Sequence, residues 1–142
     1  MTPLSPTKIA QIRASFAAQT AMATIRAELG QVLDGIVEIH LPNWEGIRQQ
    51  VGFIHGGVVG MIADSSAGYA ALTKAPEGAE VLTIEYKINM LAPATGDKLI
   101  AKGSVIRAGR TIIVTKSEVF AVTNGTEKLC AQMQQTIMVT NR

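Results

Sequence analysis

The sequence predicts an α+β domain in which one curved antiparallel β-sheet wraps around a long central α-helix. Three observations lead there. Val51 to Thr73 runs for 23 residues with Asp64 as its only acid, His55 as its only histidine and no other ionisable group except Tyr69. The chain after Gly78 alternates apolar and polar residues between turn signals, the pattern of half-buried strands. Before the apolar run lies a short helical pattern followed by two strand-like segments. A sheet closed around the apolar helix buries both, but it leaves sheet edges and part of the helix uncovered, which dimerisation would repair.

Each element follows in order. Ser5-Pro6 is a helix opening, and Ile9, Ile12, Phe16 and Ala17 recur at helical spacing, so an amphipathic helix is expected over about 6–18 within an N-terminal helical segment 1–20. From Ala23 to Pro42 the pattern becomes short β-prone segments, with Leu33-Asp34-Gly35 as the turn between two strands. In the second of these, Val37, Ile39 and Leu41 face one way and Ile36, Glu38 and His40 the other. Residues 43–54 read as a loop. A helix from about Gly56 to Leu72 carries so little charge that it must be buried on most sides, and Gly60 and Gly68 are read as packing positions on it. Leu82, Ile84, Tyr86, Ile88 and Met90 then alternate with polar residues as a half-buried strand. Gly96-Asp97, Gly109-Arg110 and Asn124-Gly125 turn the chain into strands over 98–108, 111–122 and 128–140.

Composition bounds the function. At 142 residues the chain, 1–142, is expected to be one domain with a real core. Hydrophobic residues make up 47% and charged residues only 17%, so part of the surface is expected to be covered by another copy of the chain. The net charge is +2 and the thirteen Lys and Arg are scattered, which argues against a nucleic-acid platform. Cys130 is the only cysteine, excluding an internal disulfide or a thiolate metal cluster and fitting a cytoplasmic location. Lys8 and Arg13 interrupt any signal-peptide character, and five glycines with a central Asp64 make Val51 to Thr73 a poor membrane span. No cluster of His and acids has ligand spacing, so neither a metal nor a cofactor is expected.

Asp64 is the candidate reactive group, because an ionised carboxylate in apolar surroundings is costly unless paired, hydrated or put to chemical use. Upstream, His55-Gly56-Gly57 opens the helix, where backbone N–H groups lack intrahelical partners and carry the positive end of the dipole. Such donors suit a developing oxyanion, and a carboxylate suits activation of water or direct attack, so ester-type hydrolysis is the chemistry that fits. The chain has no G-x-S-x-G elbow for His40 or His55 to serve, and His40 reads as a strand surface residue. At 1.5 Å per residue, Gly56 and Asp64 lie roughly 12 Å apart on one helix. One substrate can use both only if Gly56 comes from one subunit and Asp64 from another.

Gln49-x-x-Gly52-x-x-His55-Gly56-Gly57-x(6)-Asp64, followed by Val81-x-Thr83 and Asn89-x-x-x-Pro93, resembles the hotdog-fold acyl-CoA thioesterases of the PaaI type over about residues 20–140. The resemblance implies a hotdog fold assembled as a dimer or a dimer of dimers. It implies hydrolysis of acyl-CoA with Asp64 as general base or nucleophile, the Gly56 amide polarising the thioester carbonyl, and Gln49 positioning substrate or water. It places His55 near the thioester, often linked to the side chain at position 49, and gives Thr83 the hydroxyl that orients water. The threonine some members carry four residues after the acid is Gly68 here, so Ser65 and Ser66 stand as further hydroxyl candidates. Gly57 joins the substrate-binding set at the helix start. Phe53, Met61, Tyr69 and Met90 are expected tunnel lining, and Arg110, in the turn 107–111, is the candidate phosphate contact for CoA. The alternative function on the same fold is a non-catalytic acyl-CoA or fatty-acyl binding protein; a dehydratase would need an Asp/His pair in another arrangement, which is not found.

Overall fold

A computed structural model describes residues 3–141. Met1 and Thr2 of the expected N-terminal segment, and Arg142, lie outside the described residues. Helix α1 (Pro6–Ala18) starts as read: the Ser5 hydroxyl accepts the Lys8 N–H at 3.2 Å and Pro6 stands in the first turn.

A second helix, α2 (Thr20–Ile25), follows at once, where β-prone sequence was expected from Ala23. Its Thr and Ile favour strand locally, but its end is held from afar. Arg26 adopts φ 68°, the N–H groups of Arg26 and Ala27 return to the carbonyls of Ala23 and Met22, and Trp44 Nε1 donates to the Ile25 carbonyl at 2.8 Å. The Arg26 guanidinium lies 3.8 Å from the centre of the Trp44 ring. Tertiary contacts override propensity here.

Strands β1 (Glu28–Leu33) and β2 (Ile36–Pro42) form the expected hairpin, with Gly35 at φ +79° and Val37, Ile39 and Leu41 fully buried. The segment 43–54 is more ordered than a loop: Glu45–Ile47 is a 3₁₀ turn and Arg48 pairs with Ile54. Helix α3 (Gly56–Lys74) is followed by β3 (Ala79–Met90), β4 (Lys98–Ala108), β5 (Ile112–Thr123) and β6 (Thr126–Asn141). The strands form one six-stranded antiparallel sheet in the order β1-β2-β4-β5-β6-β3, and α3 touches every one of them.

The close approach of α3 to the sheet depends on Gly103 of β4, where a Cβ would stand 2.3 Å from the Ser66 backbone. The packing role read for Gly60 and Gly68 is not found within the chain: a Cβ at Gly68 meets nothing within 4 Å, and at Gly60 only the Tyr86 hydroxyl at 3.8 Å. Three polar pins set the rotation of α3. Ser66 bonds Ser117 at 2.8 Å, Thr73 accepts the Gly35 N–H at 2.8 Å, and the Asp64 carboxylate meets Gln135 at 2.9 Å. Each is costly to leave unmade in a dry interface, so together they select one helix face for the sheet.

Strand β3 departs from its expected half-buried pattern. Leu82, Ile84, Tyr86 and Met90 are each at least 50% exposed, while Val81 and Thr83 face inward. A bulge between Thr83 and Glu85 shifts the alternation, and β3 is an edge strand paired only to β6. Its apolar side therefore has no cover within one chain.

Candidate active site

Asp64 lies on α3 one turn before Gly68 and two before Leu72, so these three share a face. That face forms the floor of a groove of about 330 Å³, bounded by the first residues of β3 and by the α1–α2 junction. The helix delivers the carboxylate and the sheet holds it. Thr83 Oγ1 donates to Asp64 Oδ1 at 2.7 Å, and Gln135 Nε2 donates to the same oxygen at 2.9 Å and to the Asp64 carbonyl at 3.1 Å. Gln135, only 1% exposed, is fixed in turn by Thr115, whose hydroxyl donates to its Oε1 at 3.3 Å. Among the described residues no donor takes Oδ2, so one carboxylate oxygen is anchored and the other is free to accept a proton.

Thr83, expected as the hydroxyl that orients water, is found bonded to Asp64 itself. Gln135 was not anticipated. The available signal was a glutamine in the inward register of β6, between Met133 and Ile137, where a side chain that buries both an amide oxygen and an amide nitrogen requires partners.

The helix start forms a second, separate place. His55 is the N-cap of α3, and its Nδ1 accepts the Gly57 N–H at 2.8 Å. A ring that accepts through Nδ1 carries its proton on Nε2, which leaves an outward Nε2–H donor on an exposed side chain. The Gly57 N–H is thereby spent on the cap. The Gly56 N–H has no acceptor among the described residues. It opens on an apolar pocket of about 150 Å³ lined by Phe53, Met90, Ala92, Pro93 and Cys130. Burial pushes the Cys130 thiol above its ordinary pKa, so it stays a protonated apolar wall rather than a nucleophile.

The remaining candidates distribute as follows. Gln49 closes the tight turn before α3: its Oε1 accepts the Val51 N–H, its backbone N–H bonds the Phe53 carbonyl at 2.8 Å, and its side chain makes no bond to His55. Ser65 lines the Asp64 groove and donates to Gln19 Oε1 at 3.2 Å, whereas Ser66 is fully buried against Ser117. Of the expected lining residues, Phe53 and Met90 stand at the Gly56 pocket, Tyr69 at the Asp64 groove, and Met61 against the core. Arg110 is exposed in the β4–β5 turn; its neighbour Thr111 accepts from Val139, which pairs with Val81, so this tip shares the end of the sheet where the groove lies. No helix among the described residues is long and apolar enough to cross a membrane.

The chain matches the thioesterase superfamily model over residues 51–128, which contain both Gly56 and Asp64. A crystal structure of a thioesterase family protein from Silicibacter pomeroyi is 38% identical, superposes with a TM-score of 0.93, and covers 95% of this chain and 99% of that one. The 1,4-dihydroxy-2-naphthoyl-CoA hydrolase of Listeria monocytogenes is 28% identical over 116 residues, 82% of this chain and 92% of that protein. A relative from Halobacterium salinarum is 34% identical over 91 residues, 61% of this chain, and the chain spans about 60% of that relative's length. A lone carboxylate anchored beside an open groove, a capped helix start with one free amide, and this coverage agree: the chain is a hotdog-fold member of the thioesterase superfamily.

Proposed function

We propose that the chain hydrolyses acyl-CoA thioesters to a free acid and CoA, in a site shared between two copies. The observation that carries this reading is the asymmetric carboxylate: Oδ1 is tied down by Thr83 and Gln135, and Oδ2 stands free at the groove. In the general-base form, Oδ2 accepts a proton from water while the water oxygen attacks the thioester carbonyl. Thr83 spends its hydroxyl hydrogen on Asp64, so it can orient that water only through a lone pair. The carbonyl oxygen gains negative charge and is stabilised by the Gly56 N–H at the positive end of α3. Collapse of the intermediate breaks the C–S bond, and the CoA thiolate leaves to be protonated.

Gly56 and Asp64 belong to different pockets that share no lining residue, and their separation along α3 is roughly 12 Å. A two-fold axis resolves this. The midpoint between Gly56 and Asp64 on the helix is Gly60. On β3, Leu82 lines the Asp64 groove and Met90 the Gly56 pocket, and their midpoint is Tyr86. Gly60 and Tyr86 face each other: a Cβ built on Gly60 would stand 3.8 Å from the Tyr86 hydroxyl. A dyad through this pair places Leu82 of one copy opposite Met90 of the other, brings the partner's free amide to each Asp64, and covers the exposed apolar edge of β3.

Thiol release from a panel of acyl- and aryl-CoAs tests the reading. Asp64→Asn and Asp64→Ala should lower kcat by at least about 100-fold with the fold intact. Full activity in either variant rejects the mechanism, and tight stoichiometric acyl-CoA binding without turnover in the wild type favours a binding protein.

A further inference from the structure

Strand β5 buries two hydroxyls, Thr115 and Ser117, at inward positions between Ile113 and Val119. Valine has the shape for such a position, and a dry hydroxyl is costly without a partner. Ser117 is accounted for by Ser66, which it meets beneath α3. Thr115 has a single side-chain partner among the described residues. The register of β5 and β6 sets it directly opposite Gln135, and its hydroxyl donates to Gln135 Oε1 at 3.3 Å.

The two ends of a glutamine amide are nearly equal in size, so packing leaves its direction open and hydrogen bonds decide it. On the α3 side Asp64 offers two acceptors, its backbone carbonyl at 3.1 Å and Oδ1 at 2.9 Å. Both call for the N–H end of Gln135, and the carbonyl does so whether or not the carboxyl holds a proton. The Oε1 end is thereby turned toward β5, where it is dry and needs a donor. Thr115 is that donor, and no other is present for Oε1 among the described residues. With valine in its place, Oε1 reaches a donor only by turning the amide, which takes the N–H end off Asp64. A donor on Oε1 also polarises the amide and strengthens the bonds made at its other end.

We propose that Thr115 is a positioning residue of the site: it acts on catalysis through Gln135, by keeping the N–H end of that amide on Asp64 throughout turnover. The proposal rests on the thioesterase reading of Asp64. It carries the support of the acid past the residues that touch it, to a hydroxyl in the middle of the sheet.

A double-variant cycle tests it, with Thr115→Val made in the wild type and in Gln135→Leu, and with thioester kinetics and melting curves measured on each. In the wild type, Thr115→Val should lower kcat about three- to tenfold, the size of one neutral hydrogen bond, with KM held within about twofold. Its melting temperature should fall. Thr115→Ser, which keeps the hydroxyl, should restore most of kcat. In Gln135→Leu the oxygen that Thr115 serves is gone, so adding Thr115→Val should leave kcat where it is and raise the melting temperature by removing an unpaired hydroxyl. If Thr115→Val fails to fold, Thr115→Cys, a weak donor, takes its place in the cycle. Wild-type kcat in Thr115→Val, a loss that Thr115→Ser does not restore, or an equal loss in both backgrounds overturns the role of Thr115 alone. No turnover of any thioester by the wild type, or full activity in Asp64→Asn, overturns the thioesterase reading and this role with it.

Discussion

A carboxylate is useful to catalysis only if its orientation is set before the substrate arrives, and in this chain two donors set it. Gln135 and Thr83 hold the same oxygen of Asp64 from neighbouring strands, and the buried Thr115 keeps the glutamine from turning over. Hydrogen bonds to charged groups are worth about 1.5–3 kcal/mol. Gln135→Leu should thus lower kcat by about 10- to 100-fold on that scale, with a small change in KM because the residue is too deep to touch substrate. Thr83→Val should behave alike. Since both donors serve one oxygen, the double variant should lose less than the product of the single losses. A loss confined to KM, or strict additivity, would show that the two donors do not act together on Asp64. The lone acid at position 64 was visible in the sequence as an anomaly of charge. Its anchor was not, because Gln135 lies 71 residues away and only the register of β6 aims it inward.

At the scale of the element, α3 is defined by where it tolerates bulk. Gly103 has none to spare, so Gly103→Ala should drive Cβ into the Ser66 backbone and destabilise the fold by about 1–3 kcal/mol. Gly68 is the opposite case. A Cβ there meets nothing within the chain, and alanine is a better helix former than glycine by up to about 1 kcal/mol. Gly68→Ala should raise the melting temperature while slowing turnover of bulky acyl groups, because the methyl enters the groove floor beside Asp64. Melting curves of the two variants check this pair: a stabilised Gly103→Ala, or a Gly68→Ala that neither stabilises nor alters the acyl-size profile, contradicts it. The sequence identified the helix as buried and glycine-rich, but which glycine served packing was settled across the helix–sheet interface. The same limit applies to α2, whose last carbonyl is satisfied by Trp44, nineteen residues on.

The molecule as a whole is unfinished in one direction. Leu82, Ile84 and Tyr86 project from an edge strand whose outer backbone groups have no strand beside them, and the proposed dyad runs through the Gly60–Tyr86 pair. Ile84→Lys places a charge near that axis in both copies at once. It should shift the protein toward monomer in analytical ultracentrifugation and lower activity by at least about tenfold, although Asp64, Gly56 and every bond between them and their own chain are untouched. A fully active monomer would sink the shared site while leaving the role of Asp64 open to a single-chain arrangement. The low share of charged residues had pointed to a second copy. The position of the axis needed the tertiary structure, which leaves this apolar set on an edge strand and brings Tyr86 toward Gly60.

By itself the sequence determined the element types of most of the chain, the central apolar helix, the strand hairpins and Asp64 as the candidate acid. These rest on local periodicity, turn chemistry and family spacing, all of which are written in neighbouring residues. Only the tertiary structure decided that Gln135 anchors Asp64, that the Gly57 amide is consumed by His55 while the Gly56 amide stays free, and that Gln19 and Tyr69 form the far wall of the groove. Each of these depends on which buried donor meets which acceptor. That is fixed by strand register, helix rotation and the close approach at Gly103, and none of them has a signature within a single stretch of sequence.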